Sequence, residues 1–486
     1  MKKFNLKKVF TMLLCLAMVF ALGACGKSDT ASTGDGDSAQ LIGFEDDENT
    51  AGTASSGDGT TVSTNSVVSG STEDYGGSKI ESKVEFNSSD PFANIPKRLK
   101  GTTVRFASWG DETGEAYKKV IKAFTEKTGI KVEIVEYTQS VYAQTLATQV
   151  VNKNAPDIVR TSKLPAMLQV LQPLQDIFDL DDPFWDQQII EYGTYYGNSY
   201  IINSWEGPWQ GIEAVYYNKD LFEDNGLKTP LEYYKEGKWT YETLIECAKS
   251  VKGLVKSPYL PKTYVFNGQL GIETFSLENV GGIHKYVSNI TKAAPALQFT
   301  TGLIEQKLYD SAYGFGSLAT GDVAMVEEDL YGAKVNGYFS NMKDSSLAMV
   351  PLPSSYQGKA MNRAVGNTSS YGICKGAKNP EGAAYFLRWF LDYDNYEDAN
   401  ADIFKNDSLK DMYFNEIVPI YKNNKDRKLF AIGDILWDMN GYKYEQLIDR
   451  AVYAAGSTNI QTVLEGEKNK FDDCAKKATA ILDTLK

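Results

Sequence analysis

The sequence predicts an α/β fold over residues 97–486, a doubly wound chain divided into two lobes. Three observations carry the prediction. Short apolar runs alternate with stretches whose apolar residues recur at helical spacing. Glycine, proline and asparagine punctuate the joints. Nearly four hundred residues, in a chain 42% hydrophobic and 12% aromatic, are enough for two cores.

The elements follow in order. LKGTTVRFASW, from Leu99 to Trp109, is a short apolar strand, and Gly110-Asp111-Glu112-Thr113-Gly114 leads from it into EAYKKVIKAFTEKTG. There Tyr117, Val120, Ile121 and Phe124 form a helical stripe that Gly129 stops. IKVEIVEYT is the next strand, and a strand-helix-strand unit implies parallel pairing. VYAQTLATQVVNKN reads as a helix, APDIVR as a buried strand introduced by Pro156, and the stretch ending in LQPLQDIF as another helix. EAVYYNKDLF, TYETLIECAKSV and DVAMVEED continue the alternation. In the first of these a strand ends at Asn218, Leu221 and Phe222 pack a short helix, and Gly226 caps it. Thr240 is an N-cap with Thr243 where a capping box would place an acid. Asn379 or Pro380 starts a helix whose buried stripe is Ala384, Phe386, Leu387 and Phe390.

Ahead of this region lie Lys2, Lys3, Lys7 and Lys8, an apolar run over residues 9–20, and then ALGACGKSD. That is the layout of a secretory signal peptide over residues 1–24, too short for an ordinary membrane span. Leu-Gly-Ala-Cys resembles the lipobox of bacterial lipoproteins, which makes Cys25 the lipidated first residue of the mature chain. Two acyl chains suffice for stable tethering where one is marginal. Residues 25–90, rich in Ser, Thr, Gly and Asp, read as a flexible linker that cannot bury enough surface to offset its ordering entropy.

Composition narrows function. Net charge is -13, and the four signal lysines leave with no acid among them, so a nucleic-acid partner is not expected. Cys247, Cys374 and Cys474 are an odd set at wide spacing, neither a disulfide framework nor a zinc motif, and read as partly buried thiols. His284 is the sole histidine, which removes Ser-His and Cys-His triads unless it serves alone; in GGIHKYV it reads as a surface or packing residue. No metal or cofactor is expected. DGDSAQ and DLDDPF lack the spacing of a calcium loop.

The order APDIV, VYYNKDLFEDNGLKTP, GKWTYETLIECAK, LATGDVAMVEE, LAMVPLPS and ICKGAKNPEGAAYFLRWFL resembles the extracellular solute-binding proteins of carbohydrate-type ABC importers, the maltose-binding-protein-like family. The resemblance spans residues 97–486. It implies a periplasmic-binding-protein-like fold, each lobe a mostly parallel sheet flanked by helices and joined by a multi-strand hinge. Lobe 1 would take residues 100–211 and 365–394, and lobe 2 residues 212–364 and 395–486. It further implies capture of a sugar or oligosaccharide in the interlobe cleft, with ABC permease subunits as partners. The chain would act as a monomer at the outer face of the bacterial membrane.

A sugar site needs aromatic faces and planar hydrogen-bonding groups on strand-end loops. Trp109, Asp111 and Glu112 follow the first strand at the carboxyl edge where open α/β sheets bind ligands; Trp109 either lines the cleft or covers the sheet end. Ser162 and Lys163 occupy the next such loop. Trp205 and Trp209 precede the first crossover, where one of them packs the hinge. Glu328 and Tyr331 end VAMVEEDLY; in the family an aromatic here stacks on sugar. Tyr444, with Tyr442, matches a further family aromatic, while Phe275, Trp239 and Trp437 read as core. Relatives place a tryptophan after the PDIV strand where this chain has Thr161 and Ser162, which leaves the sugar class open. Rival readings are a binder of polyamine or peptide, a sensory receptor of the same fold, or an enzyme. Glu327 and Glu328 cannot flank one bond, because neighbours on a strand point to opposite faces.

Overall fold

The computed structural model describes residues 74–486 except 88, 111–113, 139–140, 162–163, 206, 208–210, 262–274, 367–369, 426–427, 430–446, 448–449 and 451–459. The signal peptide, Cys25 and the linker up to residue 73 lie outside the described residues.

Residues 74–96 run as a strap along the first lobe. Ser78 N donates to Ala377 O at 2.9 Å, and Val84 bridges Phe178. Phe86 meets Trp185 and Tyr385 edge-on at 6.2 and 5.7 Å, and Phe92 meets Trp389 at 5.3 Å. The buried carboxylate of Glu381 accepts Glu81 N at 2.7 Å and pairs with Arg98, whose Nε holds Glu81 at 2.9 Å. The expected linker ran to residue 90; the folded unit begins earlier. Ile80, Val84 and Phe86 supply apolar contacts within a polar text.

Strand β1 (Thr103–Ser108) is followed by α1 (Glu115–Thr128), β2 (Lys131–Glu136), α2 (Tyr142–Val151) and β3 (Ile158–Thr161). Gly129 closes α1 in the left-handed region at φ 76°, donating its N–H to Thr125 O. The helix expected through LQPLQDIF is absent; only a 3-10 turn, Ala166–Gln169, forms. Leu171 instead bridges Cys374 and Gln172 N donates to Ile373 O, while Pro173 has no N–H to give a helix.

The second lobe begins with β4 (Ala214–Asn218). Helix α3 (Tyr241–Ser250) starts at Thr240, and the expected ordinary cap is a full capping box, the Thr243 hydroxyl accepting Thr240 N at 2.9 Å in place of an acid. Then come β5 (Ser257–Leu260), the hairpin β6 (Phe275–Val280) and β7 (Ile283–Ser288), α4 (Ala294–Glu305), β8 (Val323–Glu328) and β9 (Leu347–Pro351). Gly281 and Gly282 at φ 61° and 83° allow the two-residue hairpin turn. His284 stacks on Tyr196 with centroids 4.7 Å apart, a packing role.

The chain then returns as β10 (Ser370–Ile373) and α5 (Pro380–Phe390). Asn379 caps α5 by accepting Gly382 N at 3.1 Å. Every residue of α5 but Arg388 is buried, not one stripe alone, because the strap covers its outer face. The last helix, α6 (Ile460–Asp483), lies on the hairpin: Phe471 stacks on Phe275 at 5.5 Å, and Thr479 Oγ1 accepts Tyr286 N. The sequence reading grouped residues 395–486 with the second lobe, yet the buried face of α6 shares a core with Ala107, Tyr142 and Leu146 of the first.

The first sheet has the order β10-β3-β1-β2, with β1 parallel to β2 and β3 and only β10 antiparallel. The second has the order β9-β4-β8-β5. Here only β8 and β5 are parallel; β4 runs against both β8 and β9, so this sheet is mixed where a mostly parallel one was expected. The reason is topological: β4 carries the chain in from the first lobe and β9 leads it back. Between the lobes Ile212 bridges Gly366 and Glu213 N donates to Val365 O at 3.0 Å, while Ile202 bridges Tyr371 within the first lobe. A third passage pairs residues 333–335 with 403–405. Cys247, Cys374 and Cys474 are buried, more deeply than expected, and burial pushes the Cys247 thiol up to about 12. Among the described residues no helix is long and apolar enough to cross a membrane.

Candidate functional site

Each sheet presents an aromatic side chain at its carboxyl edge. In the first lobe the buried Ser108 ends β1, and its hydroxyl accepts Gly110 N at 3.2 Å, which turns the chain. Trp109, partly buried, stands on this turn. Tyr142 of α2 meets its ring edge-on at 4.6 Å and donates its own hydroxyl to Ala107 O. The guanidinium of Arg160, one residue before the end of β3, lies 4.9 Å from the Trp109 centroid. Trp109 thus covers the sheet end, packed against Tyr142 and Arg160, with part of its surface left open.

In the second lobe β8 runs fully buried to Glu327 and Glu328. Tyr241 Oη lies 3.4 Å from Glu327, and burial together with that carboxylate pushes the Tyr241 and Tyr259 phenols well up. Glu328 acts on the other side: it accepts Asp329 N at 2.9 Å, and it adds to the burial and the charge of Asp329 that raise Tyr216. The two glutamates therefore serve opposite faces, as the strand period requires.

Asp329 then caps a tight turn, accepting Tyr331 N at 2.9 Å, while Tyr216 Oη donates to its carbonyl. Tyr331 sits partly exposed on this turn, its hydroxyl bonded to Asn336 O at 2.9 Å. The ammonium of Lys334, 3% exposed, lies 5.6 Å from the Tyr331 centroid and 6.0 Å from that of Tyr117 on α1. Lys334 thus brings the second lobe's turn beside Tyr117 of the first lobe.

Of the residues expected at the site, Glu328 and Tyr331 share one strand end, Trp109 heads the other sheet, and Trp205 stands apart on the crossover. The Trp205 ring lies 5.9 Å from Lys422 Nζ. Asp111, Glu112, Ser162, Lys163, Trp209 and Tyr444, with Tyr442 and Trp437, lie outside the described residues. Phe275 and Trp239 are core, as expected. Sequence reasoning did not single out Arg160, Tyr142 or Lys334. Arg160 ends the APDIVR run, and a cation closing an apolar strand was the available signal.

The model of the bacterial extracellular solute-binding proteins matches residues 107–397, more than half of the chain. No curated protein sequence matches. Solved structures do, at low identity. The GacH receptor of Streptomyces glaucescens, solved unliganded and with acarbose, is 18% identical with a TM-score of 0.53, covering 77% of this chain and 98% of its own. The ABC substrate-binding protein Lmo0181 of Listeria monocytogenes, in complex with cycloalternan, is 17% identical with a TM-score of 0.53 over 77% and 98%. A solute-binding protein of Thermotoga lettingae, bound with α-D-tagatose, is 17% identical with a TM-score of 0.54 over 78% and 99%. At such identities the structures establish the two-lobed fold alone, while the family match reaches further: this chain belongs to the bacterial extracellular solute-binding proteins.

Proposed function

We propose that the protein captures a carbohydrate between its lobes and hands it to the permease of an ABC importer, making and breaking no bond. The observation that carries this reading is the partly exposed aromatic at the carboxyl edge of each sheet, Trp109 on one lobe and Tyr331 on the other. Aromatic faces gain from covering the apolar face of a sugar ring, and two of them on separate lobes reward closure, since only the closed form touches the solute from both sides. Solved relatives hold acarbose, cycloalternan and α-D-tagatose. Asp111, Glu112, Ser162, Lys163, Trp209, Glu328 and Tyr444 remain proposed partners on the surrounding loops.

The delivery is also part of the proposal. Residues 1–24 direct export, Cys25 carries the lipid, and the monomer works at the outer face of the cell membrane. Cys25→Ser is expected to move the protein from the detergent phase to the aqueous phase on partitioning; unaltered partitioning would remove the anchor.

The solute is sought with the full chain in a thermal-shift screen of mono- and oligosaccharides, with amino acids, peptides and polyamines alongside. A ligand that binds only the folded state raises the midpoint according to its occupancy. The expected outcome is a shift by one sugar series. A shift by polyamines or peptides alone would overturn the carbohydrate reading and leave the fold intact.

A further inference from the structure

We infer that Tyr338 is a second stacking position beyond Tyr331, and that the solute is an oligosaccharide whose chain leaves the cleft across the second lobe; this rests on the carbohydrate reading above. Tyr338 is 44% exposed and Val335 45%, so two of the exposed large apolar side chains among the described residues occupy one turn.

The turn is tightly made. Gly332 N donates to Asp329 O, Gly337 N to Lys334 O and Ser340 N to Gly337 O, at 3.0, 3.0 and 3.1 Å. The next residue, Phe339, is fully buried against Tyr216, with centroids 5.4 Å apart, and fixes the backbone from below. Above it the Tyr338 ring is held edge-on to Tyr331 at 4.8 Å and tilted against Phe315 at 5.8 Å. An exposed ring held in this way has already lost its rotamer freedom in folding, so a ligand that stacks on it meets little ordering cost.

The shape of the patch selects the occupant. Tyr331 and Tyr338 present faces 76° apart, suited to successive sugar rings that turn from one unit to the next. A stable protein partner would recruit about 20–30 residues per side, and this is a small cluster of rings continuous with Tyr331. The exposed aliphatic side chain of this turn is Val335.

Calorimetry on the full chain tests this with glucose, maltose, maltotriose and maltotetraose, and with mannose, mannobiose, mannotriose and mannotetraose. In the series that binds, affinity is expected to rise with length. Tyr338→Ala should abolish that rise, weakening the longest sugar about fivefold to tenfold while leaving the disaccharide unchanged. Tyr338→Phe should retain the rise, and Tyr331→Ala should weaken every length. A length profile unchanged by Tyr338→Ala overturns the inference, as does normal binding with reduced cellular uptake, which would make the patch a protein contact. Binding of monosaccharides alone overturns it and spares the carbohydrate reading; binding of no saccharide by the unaltered protein overturns both.

Discussion

Trp109 and Tyr331 hold equivalent places in the two lobes, yet they are positioned in different ways. Trp109 is held by residues distant in sequence, Tyr142 on a following helix and Arg160 on another strand. Tyr331 is held mainly by its own turn, through Asp329, Asn336 and Tyr338. The first arrangement depends on the sheet being assembled; the second draws these contacts from residues 329–338, with Tyr216 of β4 holding the Asp329 carbonyl beneath them. One position should therefore yield gradually to substitutions at its neighbours, and the other should fail as a unit.

The sharpest way to break the second arrangement is Gly337→Ala. A Cβ there would lie 1.7 Å from the Tyr331 carbonyl oxygen, a backbone atom that cannot swing aside. The expected cost is about 1–3 kcal/mol of stability, with loss of sugar affinity, read by thermal unfolding and calorimetry. Normal affinity would show that the turn does not set Tyr331. At the first lobe, Trp109→Ala should leave the fold standing and weaken binding roughly tenfold. Arg160→Met should have a smaller effect, about fivefold, matching a cation–π contact of about 1 kcal/mol. The double variant should be no weaker than Trp109→Ala, because Arg160 acts through the ring; additive losses would instead assign Arg160 a contact of its own.

The contrast also explains what was legible in the sequence. The VAMVEEDLYG run announced its strand, its opposed glutamates and its aromatic because these are local matters of period and spacing. TYETL announced its cap, although the hydroxyl partner was underrated. Arg160 was not legible, since nothing in APDIVR says which ring a strand-end cation will cover. LQPLQDIF misled for a related reason: its apolar spacing fits a helix, but Leu171 and Gln172 are claimed by β10 and its continuation at Cys374, two hundred residues away. The mixed second sheet likewise follows from the chain's route between lobes, which periodicity does not encode. The strap was hidden because its apolar residues are sparse, and the partners of Val84 and Phe86, namely Phe178, Trp185 and Tyr385, come much later.

The strap also determines how the molecule bears load. Among the described residues its outer end is fastened to the first lobe: Lys153 meets Asp74 at 3.4 Å, Lys378 binds Gly76 O, and Ser78 is joined to Ala377. These partners belong to the first lobe, next to the amino ends of β3 and α5, on the side away from Trp109 and the strand ends. Tension on the chain ahead of residue 74 therefore enters the first lobe and bypasses the crossovers. With the anchoring proposed at Cys25, the first lobe would be the mooring and the second the arm beyond it, so tension on the tether would neither open nor close the hinge.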